Sequence, residues 1–427
     1  MKVFPHVLKL CCALLLFCAL GQSLHAYSVL THEALIDAAW ASHVRPALLR
    51  KYPQATPDEL REARAYLYGG AIIQDLGYYP FGNKFFSDLT HYVRGGDFVI
   101  ALLDEAQNLN EYAFALGALE HYAGDNNGHP IAVNPAVALV YPKLQAKYGK
   151  VVSYENDPTA HVRMEFGFDV LQVAKGRYLP QAYHDFIGFK VSKPVLERAF
   201  QKTYSIELKD VFASVDLALG TYRRSVSSII PQLTKVAWAM KRAEIEKLTP
   251  GITREKFVYQ LSRADYEKEW GREYQKPGFF AKTFALFLRI VPKVGPFKAL
   301  AFRPPSHEAE KLFIASFDAS LNQYQELLEQ ERMGKLELPN RNLDTGLPLK
   351  AGSYHLADET YAKLVHKLAD NKFEGLNSAL RANILAYFGE GNVSPSLSRK
   401  DKWQVTQREL KMLEDANKVG QKNALMN

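Results

Sequence analysis

The chain is 427 residues long, 47% hydrophobic and 23% charged, with 53 Lys+Arg against 46 Asp+Glu and a formal charge of +7. Those proportions belong to a globular protein of about two or three domains and exclude a disordered or collagen-like chain. Its three cysteines, Cys11, Cys12 and Cys18, are too few for a disulfide scaffold.

Lys2 and Lys9 precede an uncharged, Leu-rich run from Leu10 to Leu20, followed by Gly21, Gln22, Ser23, Leu24, His25 and Ala26. A basic start, a short apolar stretch and a small residue before the cut predict a signal peptide over 1–26, cleaved after Ala26. The run is short of the roughly 20 apolar residues a transmembrane anchor needs. The mature protein is therefore expected to be secreted or periplasmic. Cleavage removes two lysines, no acid and all three cysteines, leaving 51 Lys+Arg against 46 Asp+Glu. Disulfide, thiolate and sulfur-ligated metal chemistry are thereby excluded, and any metal must be held by His, Asp, Glu or the chain terminus.

Downstream, apolar residues recur at helical spacing almost throughout. Helices are predicted near 31–42, 58–68, 97–124, 136–148, 159–175, 206–245, 253–270, 306–332, 356–387 and 401–418. Thr56-Pro57 is a start signal, an N-cap followed by Pro in the first turn, and Thr31 is read as another cap with Glu33 behind it. No alternating strand pattern or repeat is found, so the fold class is all-α. Pro- and Gly-bearing stretches from Gly334 to Ser353 and from Gly389 to Lys402 suggest boundaries. The expected organisation is a metal-binding domain over 27–190, a basic helical region over 191–335 and a C-terminal helical region over 336–427. Charge divides with it: residues 27–170 hold 11 bases and 17 acids, a net of −6, and the rest of the mature chain is +11. An acidic domain is either a solvated surface or a set of ligands awaiting cations.

Histidines concentrate in that acidic part. His121 and Asp125, in His121-Tyr-Ala-Gly-Asp125-Asn-Asn-Gly-His129, are four apart and so share a helix face, with His129 on the same side or just past the helix end. The alternative is a capped helix with a polar end. His161-Val-Arg-Met-Glu165 repeats the two-ligand spacing, though a lone pair of this kind arises often by chance. Asp75 stands where an apolar helix gives way to Gly77-Tyr78-Tyr79-Pro80, and Asp88 precedes His91 by three, as ligand neighbour or loop cap. His32 lies five residues after Tyr27, the expected new terminus, whose amine and carbonyl could chelate an ion.

The order Tyr27, His32, Asp75, His91, His121, Asp125, His129, His161, Glu165 resembles the zinc-dependent phospholipase C family and its relatives, the single-strand-specific zinc nucleases, over roughly residues 27–170. That resemblance implies an α-helical secreted protein holding up to three Zn²⁺. Asp75, His91, His121 and Asp125 would hold one ion; Tyr27, His32 and Asp125 a second; His129, His161 and Glu165 the third. Asp75 would also be the catalytic general base. In the family the terminal residue is Trp, not Tyr, and Asp125 and His129 stand closer together here than is usual. Glu165 is the choice of the phospholipase branch, whereas the short spacing from terminus to His32 is nearer the nucleases.

Zinc accepts nitrogen and oxygen ligands and lowers the pKa of bound water to about 7, and hard phosphodiester oxyanions match divalent cations. The expected activity is thus a phospholipase C type phosphodiester hydrolase in which metal-bound hydroxide attacks phosphorus. A single-strand nuclease and a non-catalytic, zinc-stabilised surface-binding protein are the alternatives. Residues 274–306 contain no acid and interleave Lys276, Lys282, Arg289, Lys293, Lys298 and Arg303 with six Phe. This segment is either a membrane-surface contact, a nucleic-acid contact or a core helix followed by a Pro-Gly loop.

Overall fold

The computed structural model describes residues 29–175, 190–224, 302–389 and 400–424, with a few positions near 242–253. The expected signal segment, Tyr27, and 274–301 of the basic aromatic segment lie outside the described residues. Among the described residues the fold is all-α, as the periodicity predicts; the β-structure is one isolated bridge, Arg341 to Pro348. No described helix is long and apolar enough to cross a membrane.

The front part runs α1 (Val29–Ala39), α2 (Arg45–Lys51), α3 (Pro57–Ala71), α4 (Lys84–Tyr92), α5 (Gly95–Glu105), α6 (Leu109–Asn127), α7 (Asn134–Val140), α8 (Pro142–Tyr148) and α9 (Pro158–Ala174). Then follow α10 (Lys193–Tyr204), α11 (Leu208–Val211), α12 (Val215–Arg224), α13 (His307–Arg332), α14 (His355–Asp370), α15 (Ser378–Gly389) and α16 (Lys400–Ala424). Thr56 and Glu59 form a reciprocal capping box at α3, as the start signal suggests. Thr31, by contrast, lies inside α1, and its hydroxyl donates to Asp169 on α9 at 2.8 Å, so it ties two helices together instead of capping one. The stretch 97–124 divides into α5 and α6 because the Asn108 side chain accepts from the Glu111 N–H and starts a new helix. Helices α2, α4 and α10 fall outside the predicted spans; all three are short.

Helix α6 is the axis. Eight consecutive residues from Tyr112 to Leu119 are buried, so it is enclosed on every side. Helix α3 crosses it at Gly70 and Gly117: a Cβ on Gly117 would sit 2.0 Å from the Leu67 carbonyl oxygen, and one on Gly70 would sit 1.9 Å from that of Phe114. Only glycine permits so close a backbone approach. Helix α13 lies along another side of α6, where Tyr324 and Ser320 donate to the Leu116 and Gly124 carbonyls at 3.1 and 3.3 Å. The main core spans α1 to α6, α10, α14 and α15, while α7, α9 and α13 enclose a second cluster around Phe168 and Phe313.

Candidate metal centre

The centre is built on the C-terminal half of α6. Glu120, His121, Gly124 and Asp125 lie on its buried face. Past Asn127 the helix widens into a π turn, Gly128–Val133, because Pro130 offers no N–H to the Asn126 carbonyl. The turn keeps His129 on the side of His121 and Asp125. Gly124 makes room for His32 from α1: a Cβ there would sit 3.0 Å from its Cε1. The His32 and His121 rings consequently stack at 4.6 Å.

Asp75 lies in a 3₁₀ segment, Ile73–Tyr78, between α3 and α4. Ser87 and Thr90 of α4 donate to the Gln74 carbonyl, and the Ser87 hydroxyl accepts from the Gly77 N–H at 2.9 Å. These bonds fix Asp75 beside His91, one residue past Thr90. His161 and Glu165 occupy one face of α9, whose first turn is capped by the Asp157 carboxylate on the Ala160 N–H. Asp88 is held by Lys84 on the outer side of α4.

Every sequence-predicted ligand among the described residues converges here, and all are buried. His32, His121 and Asp125 form one group; Asp75, His91 and His121 a second; His129, His161 and Glu165 a third; within each, the ligand atoms lie within 4.8 Å of one another. Asp125 sits between the groups. Its Oδ1 is 3.6 Å from His32 Nε2 and 3.3 Å from His129 Nε2, and its Oδ2 is 3.4 and 3.1 Å from His91 and His121 Nε2.

The ring orientations are fixed from outside. His121 Nδ1–H donates to the Ala71 carbonyl at 2.8 Å and His91 Nδ1–H to that of Ser87 at 2.7 Å, since a carbonyl can only accept. When neutral, each ring thus turns an Nε2 lone pair inward, and the two Nε2 atoms are 3.3 Å apart. His32 Nδ1 faces both Glu120 oxygens at 3.1 Å and likewise presents Nε2. Opposite these nitrogens, Asp75 Oδ1, both Asp125 oxygens and Glu165 Oε1 are buried without a hydrogen-bond partner among the described residues. A buried charged acceptor left without a donor costs at least about 1–3 kcal/mol. Lone pairs and carboxylate oxygens facing one another are a donor set for a cation, and the mix of imidazole and carboxylate suits zinc.

The electrostatics agree. Burial lowers the His91 pKa, yet Asp125 and Asp75 outweigh it and push it up to about 10. For His161, Glu165 and Asp344 overcome burial in the same way, again to about 10. Burial would raise Asp125, but His121 and His129 hold it well below the usual carboxylate range. On Asp75 burial prevails and the pKa is raised; on His32 burial also prevails and favours the neutral, ligating form. In the absence of a metal the centre draws in protons as its positive charge.

Four contributors escaped the sequence reading. Glu120 adjoins His121, and Asn134 closely follows His129, so both were within sight of the motif. Asp169 is four residues beyond Glu165, and its Oδ2 accepts from the Leu30 N–H at 3.2 Å, anchoring α1. Asp344 comes from the Gly334–Ser353 stretch, with Oδ1 at 3.3 Å from His161 Nε2 and 4.0 Å from His129 Nδ1. No spacing relates it to the other ligands.

A buried multi-histidine, multi-carboxylate centre on an all-helical frame offers three groups of side chains that could hold metal ions. In agreement, residues 31–214 match the family described as zinc dependent phospholipase C. The matched segment contains every described ligand from His32 to Glu165 and excludes Asp344. No curated protein and no solved structure matches the chain.

Proposed function

We propose that the protein is a zinc-dependent phosphodiesterase of the phospholipase C type, exported by its N-terminal segment and acting on phospholipid. The observation that carries this reading is Asp125, enclosed by four imidazoles and with no hydrogen-bond partner for either oxygen among the described residues. Zinc, when bound, would supply Lewis-acid activation of water and neutralise charge on a phosphate oxygen. His91 and His121 would orient one side of the site, held there by Ser87 and Ala71. Asp75 Oδ1 is the oxygen assigned to take the proton from attacking water, its basicity set by burial. The Tyr27 amine and carbonyl are assigned to the group containing His32, reached through α1, whose start Asp169 pins.

Lys84, paired with Asp88, also faces two tyrosines beside the centre. Its Nζ lies 6.0 and 5.8 Å from the ring centroids of Tyr78 and Tyr154, and those rings lie 6.1 and 5.7 Å from His91 and His161. Residues 274–301 are assigned to the lipid surface on their charge and aromatic content, whereas Phe302 is buried against Phe166 and belongs to the fold.

The test is an assay of the purified mature protein on phosphatidylcholine vesicles and on single-stranded DNA, with zinc and after chelation. Zinc-dependent release of diacylglycerol is expected. Zinc-dependent DNA cleavage alone would move the assignment to the nucleases. Bound zinc with neither activity would leave a zinc-stabilised binding protein and end the enzymatic reading.

A further inference from the structure

The third group is completed from a part of the chain outside the family-matched segment. Residues 338–354 run across the front of the molecule as a strap. Its Pro339 carbonyl accepts from Tyr122 at 2.7 Å, and Asn340 bonds Asp97 in both directions, at 3.0 and 3.1 Å. The Leu343 N–H donates to the His91 carbonyl at 3.3 Å. Gly346, at φ +69°, lies over the π turn, where a Cβ would sit 3.0 Å from the Asn126 oxygen. Asp344 is thus delivered to His161 by contacts on both sides of it. Its Oδ2 accepts from the Tyr154 N–H at 3.0 Å and the Tyr354 hydroxyl at 2.7 Å, while Oδ1 is left without a hydrogen-bond partner among the described residues.

The hydrogen bonds around His161 decide which nitrogen is the ligand. The Asp344 backbone carbonyl can only accept, so the Asn134 group 2.8 Å from it is the amide NH₂. Asn134 Oδ1 must then face His161 Nε2, 2.7 Å away, and an amide oxygen requires a donor. His161 therefore carries its proton on Nε2, with the Asp344 carboxylate 3.3 Å from the same atom, and turns Nδ1 toward Glu165 at 2.8 Å.

We propose that Asp344 is a positioning residue for the third metal group, acting twice on His161: through its carbonyl, which orients Asn134, and through its carboxylate beside Nε2–H. The C-terminal strap is therefore an integral part of the metal centre. A carboxylate behind a ligating imidazole fixes its tautomer and raises its basicity, and losing such a partner typically costs 10–100-fold in metal affinity. This proposal rests on the reading of the centre as a zinc site.

The experiment measures zinc content and affinity of the full mature chain by competition with a graded chelator, for wild type, Asp344→Asn and Asp344→Glu. Asp344→Asn retains the backbone carbonyl and an acceptor for Tyr154 and Tyr354 but loses the charge. One ion should weaken about 10–100-fold, the others staying unchanged, and Asp344→Glu should recover part of the loss. Equal affinity of every ion in wild type and Asp344→Asn overturns the role of Asp344 alone. Wild type that binds no zinc overturns the underlying assignment of the centre. A second measurement needs no variant: long-range ¹H–¹⁵N correlation on zinc-loaded protein should show His161 protonated at Nε2. A metal-bound Nε2 would refute the proposal.

Discussion

Gly117→Ala sets two known effects of opposite sign against each other. Replacing a mid-helix glycine by alanine ordinarily stabilises by about 1 kcal/mol. At this position the new Cβ would lie 2.0 Å from the Leu67 oxygen and 2.7 Å from the Ala71 nitrogen, both backbone atoms that no rotamer change can move. Restoring ordinary contact at about 3.5 Å requires α3 and α6 to separate by more than about 1 Å. Overpacking of that kind costs about 1–3 kcal/mol, and a rigid backbone contact belongs at the upper end. A net loss of about 1–2 kcal/mol is expected in urea unfolding of the zinc-loaded protein. The separation also draws the Ala71 carbonyl away from His121 Nδ1, now at 2.8 Å, so zinc affinity should fall about tenfold or more. Gly220→Ala is the control: Gly220 lies within α12, and nothing is within 4 Å of its Cβ position. That substitution should stabilise by about 0.5–1 kcal/mol. If Gly117→Ala is stabilised like the control and keeps its zinc affinity, the account of the α3–α6 crossing is refuted.

Chelation should clearly lower the melting temperature of wild type, because protons on buried imidazoles such as His91 and His161 replace only part of the positive charge that cations would bring to Asp75, Asp125 and Glu165; an unchanged melting curve in excess chelator would count against any metal at the centre. Asp169→Ala removes the acceptor for the Thr31 hydroxyl and the Leu30 N–H, and about 1–3 kcal/mol of stability should go with it. Hydrogen exchange at Leu30 should quicken, and protection equal to wild type would show that the bond does not hold the start of α1. Asp75→Asn should keep the fold by circular dichroism and lose nearly all turnover on the substrate that wild type cleaves; full activity would remove Asp75 as the base.

What the sequence disclosed and what it withheld follow one physical line. Helical spacing places His121 with Asp125 and His161 with Glu165 on single faces, so those pairs are legible from i,i+4 separation alone, and the capping box at Thr56 is equally local. The break between α5 and α6 was harder to read, because it depends on Asn108 bonding its own chain locally, a weak signal inside a long apolar pattern. The short amphipathic α4 carries His91 and the Ser87 and Thr90 hydroxyls that steady Asp75, and its importance emerges only from packing. Asp344 lay furthest from view. It has no periodic partner and stands in a Pro- and Gly-bearing stretch that reads as a boundary, and its carboxylate acquires meaning only once the strap crosses α6 and meets His161. Composition pointed away from such a contributor: a front part of −6 against a remainder of +11 suggests that the acidic ligands all belong to the front. Yet the strap returns a carboxylate to that acidic centre, where positive charge on His161 or on bound cations must balance it. Burying Asp344 at one nitrogen of His161 and Glu165 at the other adds negative charge that a bound cation would offset, an argument for a metal that is independent of the family pattern.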